Sequence, residues 1–167
     1  MLDYASLSSA YTVVRLGEAE LPQVLRLCAG NPLFYRYCPP AASVKTVRDD
    51  MTLLPPGKSA QDKYFLGFYA QGRLTAVLDL IDGYPDAATA FIGLFMVEAA
   101  LQGQGVGTAI LSACCARLQA LGKTRVRLGR AAGNPQSAAF WRKNGFHETG
   151  RRLPGANCTI VEMERLL

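Results

Sequence analysis

The stretch Phe91 to Thr108, FIGLFMVEAALQGQGVGT, constrains this chain more than any other. Phe91 to Val97 is dense in branched and aromatic residues, the composition of a buried strand. A short connector leads to Gln102-Gly103-Gln104-Gly105-Val106-Gly107-Thr108, and Ala109-Ile110-Leu111 begins a helical pattern. A helix leaves its first four amide hydrogens without intrahelical partners and carries partial positive charge at that end. Glycines admit positive φ and close approach, so successive amides can converge on an anion. Strand, glycine turn and helix together predict a phosphate cradle.

The spacing speaks against the two commonest phosphate loops. A nucleotide P-loop ends in Gly-Lys-Ser/Thr, but Gly107 is followed by Thr108 with no lysine between. A dinucleotide fingerprint needs G-x-G-x-x-G, and after Gly103 and Gly105 the third position is Thr108. The turn also lies past the middle of the chain rather than in an opening βαβ unit.

At 167 residues the sequence has the length of one domain with a proper core, residues 1–167. No apolar run reaches the roughly 20 residues of a membrane span, and the N-terminus lacks the charged flank and apolar centre of a signal peptide. Five cysteines form no C-x-x-C pair, which predicts reduced thiols, a cytoplasmic protein and no metal site. The net charge of +5 is scattered rather than clustered, so neither nucleic acid nor membrane is an expected partner. A ligand with several phosphates accounts for the same sign.

Taken in order, Tyr11–Leu16 reads as a strand, and Leu21–Cys28 as a helix with Pro22 in its first turn and Gly30 at its end. Asn31 to Pro40, NPLFYRYCPP, packs aromatics and an arginine between prolines, which disfavours one regular element over the whole segment. Ser43 caps a second helix with an apolar face of Val44, Val47, Met51 and Leu54. Tyr64–Ala70, Arg73–Ile81 and Thr89–Val97 form a meander through the turns Gln71-Gly72 and DGYPD. After the glycine loop comes a helix with Ile110, Leu111, Cys114, Cys115, Leu118 and Leu121 on one face and Gly122 as its stop. Thr124–Arg130 is a strand, Asn134-Pro135 opens a further helix that Gly145 closes, and Phe146–Leu153 and Cys158–Leu166 are the last strands.

A second motif lies in that last helix. Asn134 to Phe146, NPQSAAFWRKNGF, carries an asparagine, a Phe-Trp pair and Lys-x-Gly-Phe. Val97 to Gly107 reads V-x-x-x-x-[RQ]-x-x-G-x-G. Together the two motifs, in this order, resemble the signatures of the GCN5-related N-acetyltransferase (GNAT) superfamily. The resemblance covers roughly the last half of the chain, and the element order of the first half agrees with it. It implies an α/β (α+β) three-layer fold: a central, mixed but mostly antiparallel twisted sheet, helices on both faces, and strands splayed at an acetyl-CoA site. Backbone groups of Phe95, Met96 and Val97 would then meet the pantetheine amides and the acetyl carbonyl. Amides of Gln102, Gly103, Gln104, Gly105, Val106, Gly107 and Thr108 would hold the pyrophosphate. Asn134 would bond the pantetheine arm, Phe140 and Trp141 would form its apolar wall, and Lys143 would neutralise a phosphate. Each also has an ordinary structural reading: helix cap, core and solvated face.

Direct acetyl transfer needs a deprotonated amine, stabilisation of an oxyanion by backbone amides, and a proton for the leaving thiolate. Two departures from the family pattern bear on this. Trp141 stands where many members have a tyrosine, and indole is no general acid at neutral pH. Gly129 stands where some members have a glutamate base. Glu98, Asp79 and Asp82 are replacement candidates by location alone. The resemblance also places the acceptor between the first two helices, so Phe34, Tyr35, Arg36 and Tyr37 are candidate lining residues for a small polar or zwitterionic amine, with Tyr84 a second candidate. The expected acceptor is a small-molecule amine or a protein amine, and dimerisation, common in the family, leaves a homodimer possible. The alternative is a coenzyme A-binding regulatory module without turnover.

Overall fold

A computed structural model describes residues 2–167. Seven strands form one sheet in the order β1-β2-β3-β4-β5-β7-β6. They are β1 (Thr12–Arg15), β2 (Lys63–Ala70), β3 (Arg73–Asp82), β4 (Thr89–Val97), β5 (Arg125–Ala131), β6 (His147–Pro154) and β7 (Thr159–Leu166). Every neighbouring pair is antiparallel except β4 and β5. Parallel neighbours need a crossover, and α4 (Val106–Ala120) supplies it. The remaining helices are α1 (Leu21–Ala29), α2 (Pro32–Tyr37), α3 (Val44–Thr52) and α5 (Pro135–Lys143). None of the described helices is long and apolar enough to cross a membrane.

The strands are covered on both faces because their side chains alternate. Leu66, Leu78, Ile92 and Leu128 pack with Ile110, Leu111, Cys114 and Leu118 of α4 and Trp141 of α5. On the other face Phe65, Val77, Leu94 and Met96 meet Val24, Leu27 and Cys28 of α1 and Val47 of α3. The α3 face is narrower than its sequence pattern suggests. Val44 is 44% and Leu54 37% exposed, since Val44 lies in the first turn and the helix ends at Thr52, before Leu54. Leu121 is likewise exposed, past the end of α4. The Asn31–Pro40 segment does hold one short helix, α2, and then turns irregular at Cys38.

The middle of the sheet is where it opens. β4 and β5 pair only from Thr89–Ile92 to Arg125–Leu128. On the opposite edge of β4 the register shifts between Asp79 and Leu80: Asp79 faces Leu94 and Leu80 faces Ile92, leaving Gly93 as the extra residue. A bulge bends its strand and increases the local twist. This one coincides with the last β4–β5 pair, so the strands part there and leave the β5-facing edge of Gly93–Val97 without a sheet partner.

Candidate functional site

The parting encloses a cavity of about 480 Å³, walled by Ile92–Val97 of β4, Leu128–Ala131 of β5, the glycine loop and one side of α5. Its mouth is the N-terminus of α4. Gly103 (φ 74°) and Gly105 (φ 82°) both have the left-handed backbone that only glycine adopts freely. Gly105 is the N-cap and no side chain caps the helix, so the first amides of α4 are left for a ligand. Gly107 is needed for a different reason: a Cβ there would lie 3.1 Å from the Phe140 ring and 3.3 Å from Val97 Cγ2. Its absence lets α4 lie close against α5 and β4.

Of the expected cradle residues, Gln102, Gly103, Gly105, Gly107 and Thr108 line the cavity. Gln104 does not; its amide turns back to the Ala100 carbonyl at 2.8 Å. Val106 packs against the core beneath α4. The Gln102 side chain is structural, donating to the Val97 carbonyl at 3.0 Å and to Asn31 Oδ1 at 2.5 Å. Asn31 Nδ2 donates to the same Val97 carbonyl at 3.2 Å and to the Leu27 carbonyl at 2.9 Å. The Val97 oxygen is therefore already engaged, and the free β4 edge lies before it.

Asn134 is buried, lines the cavity, and accepts from the Ser137 amide at 3.1 Å as the cap of α5. Phe140 and Trp141 stand at 5.1 Å between ring centroids, with Phe95 about equally near both at 6.0 and 6.1 Å. Lys143 is exposed at the cavity's edge. Sequence reasoning passed over Arg130, a buried arginine in the β5 wall that pairs with Glu148 at 2.6 Å and whose Nε has no partner among the described residues.

The candidate acids separate clearly. Glu98 lies outside the cavity, in a neighbouring groove, paired at the surface with Arg73 at 3.2 Å. Asp82 pairs with Lys123 at 2.5 Å, at the end of β3 away from the opening. Asp79 is only 6% exposed and lies beside Gly93, at the apex of the parting. Lys63 Nζ holds its Oδ2 at 2.8 Å, and Oδ1 has no partner among the described residues. A buried polar atom without a partner costs about 1–3 kcal/mol, so this arrangement is a burden on folding. Burial raises the Asp79 pKa, and the Lys63 charge works against that rise. On α3, burial pushes Asp50 up to about 6, with the Asp79 charge adding and Lys63 opposing. At Gly129 a Cβ would fall 2.6 Å from Ile160 Cγ2, which leaves no room for a glutamate there.

The aromatic candidates divide in the same way. Phe34 lines the cavity. Tyr35 packs into the α1–α3 core, edge-on to Phe34 at 4.9 Å, with its hydroxyl buried beside the Cys28 thiol. Tyr37 stands beside the β5–α5 turn, 3.8 Å from where a Cβ on Gly133 would be, and Arg36 points to solvent. Tyr84 belongs to the other end of the sheet, against Phe91 at 5.5 Å before β4 opens. The DGYPD turn connects strand ends remote from the parting, which removes Tyr84 from the cavity.

A sheet parted between the parallel strands β4 and β5, beside a helix whose first amides are free, is the architecture of an N-acetyltransferase. The chain belongs to the acetyltransferase (GNAT) family, whose model matches residues 32–146. No curated protein matches the sequence. Among solved structures, an acetyltransferase from Thermus thermophilus superposes with a TM-score of 0.73 at 21% identity, over 93% of this chain and 96% of that one. Ard1 from Thermoplasma volcanium gives 0.68 at 19%, over 95% and 98%. The PaiA N-acetyltransferase of Thermoplasma acidophilum, solved in complex with coenzyme A, gives 0.67 at 17%, over 93% and 98%. These likenesses establish the shared fold.

Proposed function

We propose that the protein transfers the acetyl group of acetyl-CoA directly to a primary amine, the acceptor being a small molecule. The observation that carries this is the coincidence of three features at one cavity: the Gly93 bulge, the end of β4–β5 pairing, and the uncapped N-terminus of α4. The pyrophosphate sits on the amides after Gly103 and Gly105, where convergent N–H groups and the helix dipole favour negative charge. The pantetheine arm runs along the open edge of β4 between Asn134 and the Phe95–Phe140–Trp141 rings. The thioester reaches Gly93, where unpaired strand amides can stabilise the oxyanion that forms on attack. Trp141 cannot protonate the leaving sulfur, but the attacking nitrogen carries a surplus proton once the N–C bond has formed, and that proton goes to the thiolate. Asp79 is the acid nearest the reacting atoms. A non-catalytic coenzyme A-binding module would have no use for a buried acid at the apex, and this favours turnover.

Calorimetric titration with acetyl-CoA, beside a Gly105→Asp variant, tests the reading. A Cβ at Gly105 meets nothing within 4 Å, so the variant adds its carboxylate to open space at the mouth of the cradle. Micromolar binding by the parent, weakened about 100-fold or more in a folded variant through charge repulsion, is the expected result. No binding by the parent would sink the assignment.

A further inference from the structure

Three of the five cysteines are buried and two are not. Cys28, Cys114 and Cys115 sit in helices against the core, where burial pushes Cys28 up to about 11 and Cys114 up to about 12 and keeps these thiols inert. Cys38 and Cys158 are half-buried and 120 residues apart in sequence, yet they meet: the Cys158 thiol donates to Cys38 Sγ at 3.8 Å. Both stand outside helices and strands, Cys38 in the bend that ends α2 and Cys158 in the turn just before β7. Beside them the Asn157 carboxamide donates to the Pro39 carbonyl at 3.1 Å. Two adjacent residues of one turn thus grip two adjacent residues of the other. Cys38 lines the cavity, together with Phe34 of α2 and Ile160 of β7, whereas Cys158 stands outside the lining.

This clasp holds a lightly anchored wall. None of the six residues of α2 is buried, and Phe34 and Tyr35 pack against the α1–α3 core only in part. A helix this short depends on its packing for stability, so a covalent bond at its end would fix the whole flank. We propose that Cys38 and Cys158 form a reversible oxidation site: a peroxide joins them in a disulfide that pins α2 to the β6–β7 turn and stiffens this flank of the cavity. The bond itself needs no cofactor, and its effect on acetyl-CoA entry rests on the acetyl-transfer reading above. A disulfide holds its sulfurs about 2.05 Å apart, so the thiols must draw closer. Both lie in bends, where that movement breaks no helix and no strand.

The step balances with peroxide as the oxidant. The Cys158 sulfur attacks one peroxide oxygen, the O–O bond breaks, and a sulfenic acid and one water result. Burial and the neighbouring Cys158 push Cys38 up to about 11, so Cys38 waits as the protonated partner. Its sulfur then attacks the sulfenic sulfur. The S–S bond forms, the S–O bond breaks, and the Cys38 proton leaves with the hydroxyl as a second water. The two thiols lose two electrons and two protons, and the peroxide takes up both. A small dithiol reverses the bond by thiol–disulfide exchange.

The test treats the whole reduced protein with hydrogen peroxide and follows it by mass spectrometry, intact and digested without reductant. The expected product has lost two hydrogens, carries a cross-link between Cys38 and Cys158, keeps the other three thiols, and is fully restored by dithiothreitol. It should melt at least about 4 °C higher, the scale of a disulfide closing a long loop in a chain of this size. Acetyl-CoA should associate with it at least about threefold more slowly, because entry then meets a fixed wall. Cys158→Ser should abolish the cross-link, the rise in melting temperature and the slowing, while the reduced variant binds acetyl-CoA within about twofold of the parent. Oxygen added without that cross-link, a bond between molecules, or five thiols surviving peroxide overturns the inference and leaves the acetyl-transfer reading standing. An unchanged association rate in fully cross-linked protein overturns the stiffened flank. A protein that cross-links but binds no acetyl-CoA in either state overturns the acetyl-transfer reading and leaves the oxidation site standing.

Discussion

The two sides of the parted sheet are built from different material. On the α4–α5 side the contacts offered to a ligand are mostly backbone: amides beyond two positive-φ glycines and the open edge of β4. Side chains there serve as scaffolding, with Gln102 bracing the Val97 carbonyl and Asn134 capping α5. On the α1–α3 side the polar groups are side chains brought from separate segments, Lys63 of β2 bonded to Asp79 of β3 with Asp50 of α3 in their field. A backbone-built site must place glycines at fixed intervals and so writes itself into a short motif. A side-chain-built site is assembled by the tertiary fold and can vary residue by residue, which suits a family whose donor is common and whose acceptors differ.

Asn31 is where the two sides meet, and removing it should have the largest effect on the comparison. Its carboxamide ties the C-terminal turn of α1 to Val97 and to Gln102, the residue that opens the glycine loop. Asn31→Ala takes away one donor to the Leu27 carbonyl and one to Val97, a loss of about 1–3 kcal/mol for buried groups. The melting temperature should fall by about 2–4 °C for each kcal/mol in a chain of this size, and acetyl-CoA affinity should fall with it. Thermal denaturation beside calorimetry checks both. A lower melting temperature with cofactor affinity intact would show that the two sides are independently held.

This contrast also explains what could be read before the structure. The strand Thr89–Val97 has the bounds that its composition predicts, and the glycines, Asn134, Phe140 and Trp141 all reach the cavity. Each of those signals is local. Asn31 was illegible because Asn-Pro reads as a helix cap, whereas its side chain makes no cap bond to α2 and instead reaches back to Leu27 and across to Val97. Asp50 sits in an amphipathic helix among charged neighbours, where an acid reads as solvated. Lys63 lies one residue before the predicted strand Tyr64–Ala70 and is in fact the first residue of β2, turned inward. The density of aromatics at 34–37 was a real signal with a mixed meaning: Phe34 faces the cavity, whereas Tyr35 turns its ring into the α1–α3 core. Gly93 lies inside an apolar run, and a bulge has no composition of its own.

The α1–α3 side should also carry a stability cost that can be titrated. The folded pKa of Asp50, about 6, lies above its ordinary value of 3.8. The native state then binds more protons at this group than the unfolded chain between those values, so the contribution of Asp50 to stability is full below 3.8 and is lost as pH rises through 6. Asp50→Asn removes the charge that burial penalises. At pH 8 the variant should melt about 2–4 °C higher, the shift that roughly 1 kcal/mol produces in a chain of this size, and the gain should vanish below about pH 4, under the ordinary carboxylate range. A gain independent of pH would mean that the ionised acid is not what the fold resists. No comparable cost is expected from the glycine loop, whose strain glycine already relieves.

The smallest expected effect concerns Glu98, one residue past the open edge of β4. Its nearness in sequence makes it the obvious base, yet the chain turns at Val97 and carries the side chain into a neighbouring groove. There it meets Arg73, which is itself largely exposed. Exposed pairs of this kind contribute about 0–1 kcal/mol. Glu98→Gln should therefore leave kcat/KM within about twofold, a change of under 1 kcal/mol in transition-state stabilisation, at every pH from 6 to 9. If Glu98→Gln abolishes turnover while acetyl-CoA affinity is kept, the proton leaves through the groove at the strand's end rather than at the parting.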